Sequence, residues 1–123
     1  MAPMAWAGVE RRREHEIDVP LLVAAICEVE NGNPYGLGGA ACITKEAWED
    51  TEKTPYADSA DPVKSARAYR NRIMWLMRGL EKHHIAPTVR ILAQCWLVGL
   101  EGYLITRRTG KYAARVENVY SAN

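Results

Sequence analysis

Residues 26–34 of the chain, Ile-Cys-Glu-Val-Glu-Asn-Gly-Asn-Pro, place an acidic side chain where an apolar helix stops. Upstream of this stretch, apolar residues recur at spacings close to 3.6, which predicts a deeply packed helix with Asp18 as its N-cap. The Asn-Gly pair that follows Glu30 is a typical helix stop. Glu30 is therefore predicted on the last helical turn, at the edge of the core.

The remaining sequence also predicts helices joined by loops, without the sustained alternation that indicates strands. We predict a mainly α single domain over residues 16–123, preceded by an N-terminal arm at residues 1–15. Four further helices are expected: Lys45–Asp50 capped by Thr44, a third from Asp61-Pro62 to near His83 with Val63 in its apolar stripe, a fourth from Pro87 to Gly99, and a last one capped by Thr109. Residues 31–43 form a loop or short hairpin in this interpretation.

Composition is that of a soluble globular domain, with 48% hydrophobic and 25% charged residues among 123 and a formal net charge of +1. A net charge this small gives no strong electrostatic attraction to nucleic acid or to a membrane surface, so neither is an expected partner. The longest apolar run, residues 21–27, is too short to cross a bilayer. The N-terminal residues lack the apolar run of a signal peptide, so export would need a leader already removed or a phage holin.

Three cysteines lie in apolar stretches, and an odd number excludes complete internal pairing. We interpret Cys27, Cys42 and Cys95 as small buried hydrophobic residues of a reducing compartment.

The position of Glu30 suits acid catalysis. Cleaving a glycosidic bond near neutral pH requires a proton donor, and a carboxyl serves only when burial raises its pKa. We expect Glu30 to be desolvated by the helical turn behind it, whereas Glu28 lies about 200° around the helix. The alternative is a solvated glutamate at a helix end, the ordinary state of such residues.

Four blocks of sequence, in order, resemble soluble lytic transglycosylases and goose-type lysozymes of the lysozyme-like superfamily. Residues 26–34 resemble the family's helix ending in Glu-Ser with its Gly/Asn-rich loop, and Gly39–Thr44 resembles Gly-x-x-Gln-Ile-Thr. Leu92–Gly99 resembles Ala-x-x-Tyr/Trp-Asn-x-Gly, and Tyr112–Val116 resembles the closing Tyr-x-x-Arg-Val. The resemblance covers roughly residues 20–120.

This resemblance implies a monomeric, cofactor-free and metal-free glycosidase of bacterial or phage type, acting on the bond between N-acetylmuramic acid (MurNAc) and N-acetylglucosamine (GlcNAc) in peptidoglycan glycan strands. Glu30 takes the place of the catalytic general acid/base. Thr44, Trp96 and Tyr112 take places near the glycan or the acid, and the Tyr112 hydroxyl is a candidate to hold Glu30. For Trp96 and Tyr112 the alternative is an ordinary role in the core.

Two positions depart from the family pattern. Cys42 stands where the family usually has Gln, and Leu97 stands where it has Asn. Both family side chains are amides, and losing each would cost on the order of 1–3 kcal/mol of binding or transition-state stabilisation. Two functions therefore stay open: an active lytic transglycosylase or muramidase, and a catalytically degenerate module that binds glycan or protein.

The two cleavage reactions differ in their need for a second carboxylate. A lytic transglycosylase needs none, because the muramoyl C6 hydroxyl is the nucleophile. A hydrolase needs one, and the sequence offers Glu46, Glu49 and Asp50, which also fit a solvated acidic face.

Other groups of residues in the sequence give weaker indications of a functional site. The histidines lack metal-ligand spacing, and the glycine loop lacks the lysine of a phosphate-binding loop. The basic residues of the third helix are interpreted as a solvated face, with phosphate or teichoic acid binding as the alternative. They are Lys64, Arg67, Arg70, Arg72 and Arg78.

Overall fold

The computed structural model describes residues 16–31 and 43–122 of the chain. These ranges contain five α-helices, a short 3-10 helix and no strand, which confirms the mainly α class. The predicted N-terminal arm and the loop or hairpin after the first helix lie outside the described residues. The helices are α1 (Val19–Asn31), α2 (Lys45–Thr51), the 3-10 helix (Tyr56–Ala60), α3 (Pro62–Lys82), α4 (Val89–Thr106) and α5 (Lys111–Ala122).

Three helices begin at the capping residues that the sequence predicted. The carboxylate of Asp18 accepts a hydrogen bond from the Leu21 amide at 3.1 Å, and the hydroxyl of Thr44 accepts one from Ala47 at 3.1 Å. Asp61 accepts from two amides in the first turn of α3, at 2.9 and 3.3 Å. Each cap satisfies amides that have no partner within the helix, which fixes where the helix begins.

The starts of α4 and α5 differ from the prediction. Thr88 rather than Pro87 precedes α4, and its hydroxyl accepts from an amide of the first turn at 3.1 Å. Gly110 rather than Thr109 precedes α5, and its amide donates to the side-chain oxygen of Gln94 at 2.9 Å. The last helix is thus anchored by a side chain from α4, a long-range contact that local capping patterns do not reveal.

One element was not predicted, and one further expectation needs correction. Tyr56–Ala60 forms a 3-10 helix in which Ser59 is buried. Val63 was placed in the apolar stripe of α3, yet it is 78% exposed. It lies in the first turn, before the helix reaches the core; the inward positions there belong to Ser65 and Ala68.

The core surrounds α3, which contacts α1, α2, the 3-10 helix and α4, while α5 packs on α1 and α4. The Tyr120 hydroxyl on α5 accepts a hydrogen bond from the Asp18 amide at 3.0 Å, which joins the start of α1 to the end of the chain. The largest fully buried side chains come from all five α-helices: Trp48, Tyr69, Leu22, Ile26, Ile73, Leu76, Leu80, Leu92 and Val116.

Helix α4 changes direction at Gly99, whose φ of 82° and ψ of 162° are not helical. The sequence predicted that the fourth helix would end here; the structure confirms a break, after which the chain turns helical again to Thr106. A positive φ with extended ψ is accessible essentially to glycine alone. The two residues directly before the break, Leu97 and Val98, are both exposed.

By length and composition alone, α4 is apolar enough to cross a membrane, and 22% of it is buried in the structure. A single helix of this kind is weak evidence for a membrane span. In this structure α4 contributes Leu92, Ala93, Cys95 and Tyr103 to the core, and Arg90 forms an ion pair with Glu117 on α5 at 2.7 Å.

Cys27 and Cys95 are buried, as predicted, and Cys42 lies outside the described residues. Burial raises the pKa of the Cys95 thiol to about 11, and the positive charge of Arg72 opposes part of this rise. Cys95 is therefore a packing residue with an unreactive thiol.

Candidate functional site

A cavity of about 290 Å³, here called the first cavity, lies between α2 and the break in α4. This volume is near the lower end of the range for small-molecule sites and suits one small ligand unit. Its lining comes from three parts of the chain: Ile43, Thr44, Glu46, Ala47 and Asp50 around α2, Arg72 on α3, and Trp96, Leu97, Val98 and Gly99 on α4.

Two of the predicted substrate-binding residues, Thr44 and Trp96, meet in the first cavity. Thr44 is held by its capping role at the start of α2. Trp96 packs edge-to-face against Tyr69 of α3, with ring centroids 5.8 Å apart and an interplanar angle of 79°. The tertiary fold therefore brings together residues from two separate sequence blocks.

The first cavity has one polar wall and one apolar wall. Helix α2 supplies a hydroxyl and carboxylates, while α4 supplies an indole and two exposed aliphatic side chains, Leu97 at 52% and Val98 at 45% exposure. Leu97 occupies the position where the resembling family has an amide. A cavity with one polar and one apolar wall fits a ligand that has an apolar face and a polar edge, such as a pyranose ring.

The structure separates the three candidate carboxylates on α2. Glu46 and Asp50, one helical turn apart, both line the first cavity. Glu49 does not line it, and its carboxylate lies 3.9 Å from the ammonium of Lys45. Of these three carboxylates, Glu46 and Asp50 are therefore the two that a ligand in this cavity would contact.

Asp50 is held by Arg72, whose Nη1 lies 3.1 Å from Asp50 Oδ2. The Arg72 side chain is only 11% exposed, and its guanidinium carbon lies 4.4 Å from the ring centroid of Trp75. The prediction of a solvated Arg72 is wrong, because an ion pair and a cation–π contact retain it in the cavity wall. The Arg-x-x-Trp spacing, which places both residues on one helix face, was the available signal.

A second cavity of about 230 Å³ adjoins the first and shares Asp50 with it. Its lining comes from the end of α2 and the outer face of α3: Asp50, Thr51, Asn71, Met74, Trp75 and Arg78. None of these residues belongs to the four sequence blocks, so motif comparison did not identify this cavity.

The other predicted site residues lie on helices next to the core. Glu30 is on the last turn of α1, as predicted, but it is exposed; the expected desolvated environment is not present among the described residues. Tyr112 is half-buried on α5, the helix that packs against α1. Neither is among the residues lining the first cavity. The loop containing Cys42 lies outside the described residues.

Among residues 16–31 and 43–122, no group of three histidine, cysteine or acidic side chains is arranged to hold a metal ion. Comparison of the chain with family models, curated proteins and solved structures gave no match.

Proposed function

We propose that the protein is a peptidoglycan-cleaving glycosidase, a lytic transglycosylase or muramidase of the lysozyme-like superfamily, that cuts the MurNAc-GlcNAc bond. The observation that supports this most strongly is the first cavity, which is lined by both Thr44 and Trp96, residues from two separate blocks of the resemblance. Its polar and apolar walls have the chemistry that a sugar ring needs. The break at Gly99, within the third block, also agrees with the family pattern.

Glu30 is the general acid/base in this proposal. It donates a proton to the glycosidic oxygen as the bond from that oxygen to the muramoyl C1 breaks. In the transglycosylase reaction the muramoyl C6 hydroxyl then attacks C1, and Glu30 takes its proton to leave a 1,6-anhydro end. Tyr112, on the helix packed against α1, is assigned to orient the acid.

A second candidate function is a catalytically degenerate module that binds glycan or protein without cleaving it. Two observations favour it over an ordinary active enzyme. Glu30 is exposed, whereas an acid of this kind usually needs a desolvated setting. Leu97 presents an apolar side chain to the first cavity at a position where the family has an amide.

Digestion of purified peptidoglycan by the wild-type protein, with products identified by mass spectrometry, distinguishes these functions. Anhydromuramoyl ends are expected for the transglycosylase reaction, and reducing ends would indicate a hydrolase. Several peptidoglycan chemotypes should be used, because stem peptides and cross-links differ among them. Pull-down on insoluble peptidoglycan without any released fragment would contradict the enzyme and support the degenerate module.

A further inference from the structure

We infer that the second cavity is a subsite for a carboxylate-bearing sugar and that the first cavity holds a neutral sugar beside it. This inference rests on the proposed function, because it assumes that a glycan occupies the first cavity. Within that function, Arg78 is the residue that would distinguish the charged sugar from the neutral one.

The two cavities differ in the charges of their lining side chains. Asp50 belongs to both, and Arg72 neutralises it through the 3.1 Å ion pair. The remaining charged side chain is Glu46 in the first cavity and Arg78 in the second. Neither of these forms an ion pair with a residue in the described part of the chain. Counted over the lining side chains, the first cavity thus has residual negative charge and the second residual positive charge.

Residual charge of this kind selects ligands by repulsion as well as attraction. A carboxylate placed in the first cavity would meet Glu46, whereas in the second it would meet the guanidinium of Arg78, which binds carboxylates with paired N–H donors. A ligand made of two neighbouring units, of which only one is negatively charged, therefore fits the two cavities in one arrangement only. Its charged unit lies in the second cavity and its neutral unit in the first.

The second cavity also has the surfaces that a sugar uses. Trp75 contributes an indole that is only partly exposed, and Met74, 46% exposed, extends the apolar wall. Asn71 contributes an amide, whose Nδ2 donates to Glu52 at 3.0 Å; Glu52 itself does not line the cavity. Hydrogen-bond donors beside an aromatic ring give the second cavity both polar and apolar surface, as in the first cavity.

Peptidoglycan strands match this pattern because every second sugar, the muramic acid, has a lactyl group, which ends in a carboxylate where no stem peptide is attached. GlcNAc has no charge. We assign the muramoyl unit to the second cavity, next to Arg78, and the GlcNAc unit to the first cavity, next to Trp96. The carboxylate is free in strands without stem peptides, so such strands are the expected preferred ligand.

The test is a binding titration with two tetrasaccharides of equal length. One is chitotetraose, which is neutral, and the other is (GlcNAc-MurNAc)₂ with free lactyl carboxylates. The catalytic variant Glu30→Gln is used as the background, so that neither ligand is cleaved. We expect the carboxylated ligand to bind about 3- to 5-fold more tightly at low salt, with the preference shrinking as salt is added.

The variant Arg78→Gln should bring the ratio of the two affinities to about 1, with the larger loss of affinity for the carboxylated tetrasaccharide. Arg70→Gln is the matched control, because Arg70 lies exposed on the same helix and lines neither cavity. It removes an equal charge and should retain the preference.

The outcomes separate this inference from the proposed function. Equal binding of both tetrasaccharides, or a preference that survives in Arg78→Gln, would overturn the subsite while glycan binding stands. No binding of either ligand would overturn the subsite and count against the glycosidase as well. A preference lost equally in the Arg70 control would show long-range charge in place of a subsite, and would also overturn it.

Discussion

Leu97 exposes 52% of its surface at the rim of the first cavity, where the resembling family has an asparagine. Because it is exposed, an amide is tolerated there without disturbing the core. We predict that Leu97→Asn raises the rate of peptidoglycan cleavage by roughly tenfold, through hydrogen bonds to the substrate or the acid. Release of soluble muropeptides measures this effect. Val98→Asn is the control, since Val98 has similar exposure but no amide counterpart; an equal gain there would contradict the explanation.

Thr51 lies at the end of α2, and its hydroxyl oxygen is buried without a hydrogen-bond partner among the described residues. A buried hydroxyl without a partner costs stability, whereas a methyl group of similar size does not. We predict that Thr51→Val raises the free energy of unfolding by about 1 kcal/mol. Denaturant unfolding checks this, and Thr54→Val, at an exposed site nearby, should be nearly neutral. A loss of stability in Thr51→Val would mean that the hydroxyl is bonded.

At the scale of the helices, the break in α4 depends on one residue. Gly99 has a φ of 82°, where any side chain is strained although no atom lies within 4 Å of a built Cβ. We predict that Gly99→Ala lowers the free energy of unfolding by about 1–3 kcal/mol. It should also weaken glycan binding, because Gly99 lines the first cavity. Thermal unfolding beside a glycan titration tests both effects, and an unchanged melting temperature would contradict the account.

Helix starts were predictable where the signal is local. The caps at Asp18, Thr44 and Asp61 are each set by a side chain and an amide two or three residues away. The start of α5 was missed because its stabilising contact comes from Gln94 on another helix. The 3-10 helix at Tyr56–Ala60 was missed because a polar segment of five residues has no apolar period to detect.

At the scale of the whole molecule, burial of Cys95 couples stability to pH. Its thiol has a pKa of about 11 in the folded protein and 9.0 as its ordinary value, so the folded state retains the proton longer. The free energy of unfolding is therefore expected to fall as pH rises from about 9 to about 11, with the full contribution present below pH 9. The measurement is the slope of the unfolding free energy against pH, in the wild type and in Cys95→Ala. Lysine and tyrosine titration contributes to both slopes, so their difference is due to the thiol. Identical slopes would contradict the burial effect.

The site was predictable only in part, since it depends on contacts between distant segments. Thr44 and Trp96 were identified from separate blocks, but their meeting requires α2 and α4 to approach each other. Arg72 and Arg78 belong to no block, and their sequence pattern is that of a solvated helix face. Their placement follows from the packing of α2 against α3, which brings Asp50 to within 3.1 Å of Arg72.

The most direct test of the central claim is the cleavage rate of Glu30→Gln on purified peptidoglycan, beside wild type and Glu28→Gln. Glu28 lies on the same helix two residues earlier, so the control removes the same charge in the same element. If Glu30 is the general acid/base, its variant should lose about 100-fold or more of the rate while Glu28→Gln keeps most of it. Equal rates in all three proteins, or loss of equal size in both variants, would contradict catalysis by Glu30.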